Sequence, residues 1–259
     1  MIDRLIFGIL CKKTPFYVVS HERSGTHFMI NTIFANAYVR PHLRYVGDWL
    51  GPYDRPESRH RHLEDFRREW PLWKNGGGLV KTHADAHLFR EWYPAAPVVY
   101  VWRDPRDTLV SFFHYLNSDE LHRTNPGLES QRCESFAEFL RRPLTDYLKH
   151  GFSDAASFDS VAARWASHVS GWLSVPDICV IRFEQIKSDF RRVVRDICRS
   201  TGALPRWRQK AVGLHDAISV LPRKGVAGEW KKYFTKEDEI FLEEQAQRYG
   251  LGKEDWDLP

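Results

Sequence analysis

Four short apolar runs punctuate the chain, and helical periodicity fills much of the sequence between them. Phe16-Tyr17-Val18-Val19 reads as a short buried strand, and so do Leu79-Val80-Lys81-Thr82-His83, Val98-Val99-Tyr100-Val101-Trp102 and Ile178-Cys179-Val180-Ile181-Arg182-Phe183. Residues 26–34 place apolar side chains at helical spacing directly after the first run. After the third run, Asp104 is an N-cap and Pro105 fits the first helical position of a helix reaching about Leu116. Further helices are expected near 58–69, 136–141, 144–150, 159–175 and 188–200, the last closed by Gly202. In 159–175, Val161, Trp165, His168, Val169 and Trp172 share one side. Thr235 caps a final helix that closes at Tyr249-Gly250. Strands alternating with helices predict an α/β fold: one domain over residues 1–259, with a central, mostly parallel sheet covered by helices on both faces.

Three polar segments stand at the ends of these strands, where open α/β sheets collect chemistry. The first, Ser20-His21-Glu22-Arg23-Ser24-Gly25-Thr26, forms a tight P-loop-like turn between strand and helix. Such a turn aims backbone N–H groups and the positive helix end at one point, which suits a phosphate. Arg23 adds a charge, and Ser24 and Thr26 add hydroxyls. An ordinary βα turn capped by Ser24 or Thr26 is the plainer alternative. No GxxxxGK[ST] pattern is present, so the loop differs from that of common ATPases and GTPases. The second segment, Lys81-Thr82-His83, offers a cation and a base together. The third begins at Arg103, whose planar guanidinium suits a second phosphate; a salt bridge to a nearby Asp would use it equally well. Far downstream, Arg223-Lys224-Gly225-Val226-Ala227-Gly228 is basic and glycine-bearing, as an anion loop or a surface loop would be.

Composition narrows this picture in a few places. Residues 40–75 hold four prolines and interleave Trp49, Tyr53, Trp70 and Trp73, so loops around one short helix are expected, with aromatics able to line a pocket. The net charge of +4 is mild for 259 residues, and acids alternate with bases along most of the chain, which argues against a nucleic-acid polymer as partner. Cys11, Cys133, Cys179 and Cys198 form no CxxC and no zinc-ligand pattern; they suit a reducing, cytoplasmic setting. The apolar stretch at 5–10 is too short to span a membrane and is followed by Lys12 and Lys13, leaving a packed strand, a packed helix or a weak interfacial anchor.

Together the polar segments resemble those of the sulfotransferases that use 3′-phosphoadenosine 5′-phosphosulfate (PAPS), the cytosolic type above all. The resemblance runs from about Phe16 to Phe234. Arg23-Ser24-Gly25-Thr26 is similar to the family's 5′-phosphosulfate loop, KSGTT. Lys81-Thr82-His83 matches its KTH, Arg103 with Ser111 its 3′-phosphate pair, and residues 223–231 its RKGxxGDWK loop. The resemblance implies sulfuryl transfer from PAPS to a hydroxyl of a small-molecule or carbohydrate acceptor, with PAP as product and no metal. It implies His83 as general base, and Lys81 and Arg23 on the transferring group. Ser24, Gly25, Thr26 and His27 would bind the 5′-phosphate; Phe28 and Phe183 would flank the nucleotide. Arg103, Ser111, Arg223, Lys224 and Gly225 would hold the 3′-phosphate.

Departures from the pattern are specific. Arg23 replaces the usual lysine and keeps the charge but not a labile proton. Phe28 replaces a stacking tryptophan and Phe183 a tyrosine. Glu22 is an odd neighbour for an anion and is expected to point outward. The family's dimer motif KxxxTVxxxE keeps Lys231 and Thr235 but is broken at Lys236 and Ile240, leaving the oligomeric state open. A P-loop-type kinase of a small metabolite and a non-catalytic nucleotide-binding module remain the competing readings.

Overall fold

The computed structural model describes residues 8–45, 77–87, 89, 97–124, 132–143, 158–213, 225 and 227–257. Five strands form one sheet in the order β2-β3-β1-β4-β5: β1 Phe16–Ser20, β2 Leu43–Tyr45, β3 Leu79–Thr82, β4 Val98–Trp102 and β5 Cys179–Arg182. Every neighbouring pair is parallel, with Val18 opposite both Lys81 and Val99. The four expected strands are all present. β2 is an addition, falling in a segment expected to be loops. It is a three-residue edge strand that exists because β3 offers it an unpaired side.

Strand alternation sorts the core into two layers. Phe16, Val18, Leu79, Val99, Val101 and Ile181 face one side, against Met29, Ile30 and Ile33 of α1 (Thr26–Asn36) and Val193, Val194 and Ile197 of α7 (Phe190–Thr201). Tyr17, Val19, Val80, Tyr100 and Trp102 face the other. There they meet α2 (Pro105–Leu116), α4 (Phe136–Arg141), α5 (Val161–Leu173) and α8 (Lys236–Gln247). Two shorter helices are α3 (Asp119–Thr124), and α6 (Phe183–Ser188), which follows β5 directly. Trp165 and Trp172 of α5 are fully buried, and Trp172 stacks on Tyr100 at 5.5 Å. Each contributes roughly 3 kcal/mol through lost water contact alone.

The caps expected at Asp104, Gly202 and Thr235 hold: Asp104 accepts from the Arg106 N–H, Gly202 ends α7 at φ 72°, and Thr235 forms a capping box with Asp238. Ser135 and Ser160, not singled out from sequence, cap α4 and α5. All four cysteines are buried thiols, and burial pushes Cys179 up to about 12 and Cys198 up to about 11. The helices expected near 58–69 and 144–150 and the aromatic loops at 46–76 lie outside the described residues.

Candidate active site

The chain leaves β1 for one edge of the sheet and later returns through β4 to the other, so β1 and β4 flank the point where ligands of open α/β sheets bind. Three adjacent strands deliver their ends there: Ser20 from β1, His83 just past β3, and Arg103 just past β4. The loop after β1 turns on two left-handed residues, Arg23 at φ 65° and Gly25 at φ 94°. A Cβ at Gly25 would lie 2.3 Å from the Phe183 ring, so only glycine allows this close approach.

No side chain caps α1, whose N-cap is Gly25 itself. The simple capped-turn reading therefore does not hold. Thr26 spends its hydroxyl on Ser20 Oγ. Ser24 Oγ is wholly buried and has no hydrogen-bond partner among the described residues. A buried hydroxyl without a partner costs about 1–3 kcal/mol, a cost that an anion's oxygen would relieve. The loop is thus built to receive an acceptor atom.

His83 joins the first two strand ends. Its Nδ1–H donates to the Ser20 carbonyl at 2.6 Å, which makes Nε2 the acceptor nitrogen. Nε2 lies 3.0 Å from Lys81 Nζ, whose side chain is 4 % exposed. Arg23 Nε donates to Ser111 Oγ at 3.3 Å, and the Arg23 guanidinium lies over the Tyr115 ring. Ser111, assigned from sequence to the second phosphate, therefore touches the first anion loop as well.

Arg103 packs over the Phe183 ring at 4.7 Å and pairs with Asp107 at 3.6 Å. The salt bridge weighed from sequence is real, and Asp107 does more. Its carboxylate accepts from the N–H groups of Gly228 and Trp230, tying the basic glycine loop to α2. Burial raises its pKa, which Arg103 opposes. Arg106 adds a stack on Trp230 at 4.0 Å. Gly225 is left-handed at φ 56°, and its carbonyl accepts from Lys187 Nζ. Arg223 and Lys224 lie outside the described residues. Phe28 is buried, 5.7 Å from Phe183, and His27 is half-buried.

Glu22 does not point outward. It is 8 % exposed and turned under the loop, where both oxygens accept from Arg164 of α5 at 2.7 and 2.8 Å. Arg164 also donates to His21 Nε2 at 2.8 Å, while His21 Nδ1 donates to the Glu22 carbonyl. Burial, above all, holds His21 down to about 3, and it keeps His168, bonded to the Tyr100 hydroxyl, neutral too. The carboxylate is neutralised from below, leaving the loop's upper side to Arg23.

An uncapped helix start, an unsatisfied buried hydroxyl and a histidine beside a lysine mark a candidate site for an anionic ligand. The family model described as "Sulfotransferase domain" matches residues 13–205. The chain belongs to this family, the PAPS-dependent sulfotransferases, and is a sulfotransferase. "Sulfotransferase 2A6" of Rattus norvegicus is 23 % identical, the match covering 91 % of this chain and 86 % of the relative. "Sulfotransferase 2B1" of Mus musculus is 25 % identical over 93 % of this chain and 73 % of its own. Among solved structures, mouse sulfotransferase SULT7A1 complexed with PAP shares the fold at TM-score 0.59 and 20 % identity, covering 91 % of this chain and 84 % of that one. Among the described residues no helix is long and apolar enough to cross a membrane, and no His, Cys, Asp and Glu cluster could hold a metal ion.

Proposed function

We propose that the chain moves a sulfuryl group from PAPS to a hydroxyl of a small-molecule or carbohydrate acceptor, as one domain acting in the cytoplasm, with His83 as general base. The observation that supports this reading most is the tautomer of His83. With Nδ1–H spent on Ser20, only Nε2 can take a proton. His83 would accept the hydroxyl proton as the acceptor oxygen bonds to sulfur and the bond from sulfur to the bridging oxygen breaks. Lys81 now lies against that nitrogen. It would leave Nε2 for the bridging oxygen as charge develops there, so one cation restrains the base and then assists the leaving group.

The remaining residues would position the donor. Ser24, Gly25, Thr26 and His27 fit the 5′-phosphate, because the left-handed turn and the unpartnered Ser24 hydroxyl leave donors to fill. Arg23 would hold the transferring sulfonate. Phe28 and Phe183 would flank the nucleotide. Arg103, Ser111, Gly225 and, from sequence, Arg223 and Lys224 would take the 3′-phosphate, with Asp107 keeping the two halves of that site in register. Positioning and charge stabilisation then account for most of the rate.

Titration calorimetry tests the donor assignment. PAP should bind more tightly than adenosine 5′-phosphate, and Arg223→Ala should erase much of the difference. Equal affinities in the intact protein would sink the assignment, and a magnesium-dependent preference for ATP would point to a kinase instead. An acceptor screen with labelled PAPS identifies the second substrate.

A further inference from the structure

The mild net charge conceals a strong local one. Residues 190–210 carry seven Lys and Arg against one Asp, a net of +6 in a chain that totals +4, so the rest of the chain is net acidic. The segment comprises α7 and the strap that follows it. α7 buries Val193, Val194 and Ile197 and turns Arg191, Arg192, Arg195 and Arg199 outward. The strap is fastened to the opposite end of α1 from the anion loop. Tyr38 N–H donates to the Leu204 carbonyl, Arg206 N–H to Asn36, and Lys210 N–H to the Asn36 side chain.

This strap displays the most exposed aromatic residue in the described structure: Trp207 is 95 % accessible, between Arg206 and Arg208. Leu204, at 48 %, is on the same strap. The N-terminal arm runs alongside. Lys12 bridges to Val39, its Nζ lies beside Gly202, and Ile9, three residues earlier, is 69 % exposed. Tryptophan, leucine and isoleucine set among exposed cations match the interface of an anionic bilayer, where apolar tips enter the headgroup layer and cations meet phosphates. A single-stranded nucleic acid would want several aromatics on a basic groove, and leucine and isoleucine give bases nothing to stack on.

We propose that this rim is a peripheral docking surface for membranes rich in anionic lipid, with Trp207 as its inserted side chain. The rim lies at the amino end of the parallel sheet and the candidate site at the carboxyl end. Docking would therefore leave the site open to water.

The test is co-sedimentation of the full chain with phosphatidylcholine vesicles, alone and with about 30 % phosphatidylserine. The chain should sediment with the mixed vesicles and little with the neutral ones, and added salt should release it. Trp207→Ala should weaken partitioning severalfold, and Arg208→Glu at least about fivefold, the worth of one cation at such a surface. Both variants should keep the parental melting temperature and PAP affinity, because neither side chain is buried or near the site. Failure of the parent to sediment would overturn the proposal, and so would equal partitioning of the parent and Trp207→Ala. Tighter binding to a single-stranded oligonucleotide than to the mixed vesicles would reassign the rim to nucleic acid.

Discussion

His83→Ala should lower single-turnover sulfuryl transfer by roughly 10²–10⁴, the usual worth of a positioned general base. PAP affinity should stay near the parental value, because His83 meets the acceptor and not the nucleotide. Two bonds make the test sharp. The ring donates to the Ser20 carbonyl and receives Lys81, so a purely structural histidine would, when lost, loosen β1 and β3 together. That outcome would lower melting temperature and PAP affinity in step with the rate. Turnover of the parent should fall in acid, since a protonated imidazole cannot take the hydroxyl proton. A stable, PAP-binding His83→Ala protein with the parental rate would remove His83 from the mechanism.

Breaking the pair under the loop should give the largest loss of stability. Arg164 is 2 % exposed and holds both oxygens of Glu22. Removing one partner of such a pair strands a buried charge, at a cost of about 3–5 kcal/mol. Arg164→Leu should therefore shift the urea midpoint far down. Arg164→Leu combined with Glu22→Gln should be less damaging than the two single changes added together. Strict additivity would show that the two charges do not depend on each other.

The same cluster sets an acid limit on the fold. An unfolded histidine binds its proton near 6.5, but buried His21 does so only near about 3. Between those values the unfolded chain binds more protons, so stability falls as pH falls. His168 acts in the same direction. Melting temperature should decline from neutral pH toward about pH 5, and an unchanged value across that interval would mean that these rings are not buried neutral.

Much of this arrangement was legible in the residues themselves. Short continuous apolar runs gave the four longer strands, and Asp104-Pro105 placed the start of α2 because cap chemistry is local. β2 was not legible. Leu43-Arg44-Tyr45 is too short to carry a period, and its pairing is supplied by β3, 36 residues away. Glu22 misled for a related reason: its partner is 142 residues on, and a charge beside an anion loop suggests water. A signal did exist. Arg164 lies on the same helical face as Val161, Trp165 and His168, and a cation on an apolar stripe calls for a buried acid. From sequence Asp107 was only a nearby acid for Arg103. Its second task, holding the N–H groups of Gly228 and Trp230, depends on a loop more than a hundred residues later.

The all-parallel sheet bears on how the chain is made. No neighbouring strands are joined by a hairpin, and β1, the middle strand, first finds a partner when β3 leaves the ribosome, more than sixty residues later. At about 5–20 residues per second, that strand waits roughly 3–13 s with its apolar side chains unshielded. Its other flank waits longer still, for β4. Protein yield in a heterologous host should thus hinge on chaperone supply and on how quickly the first hundred codons are translated, more than on the final stability of the fold.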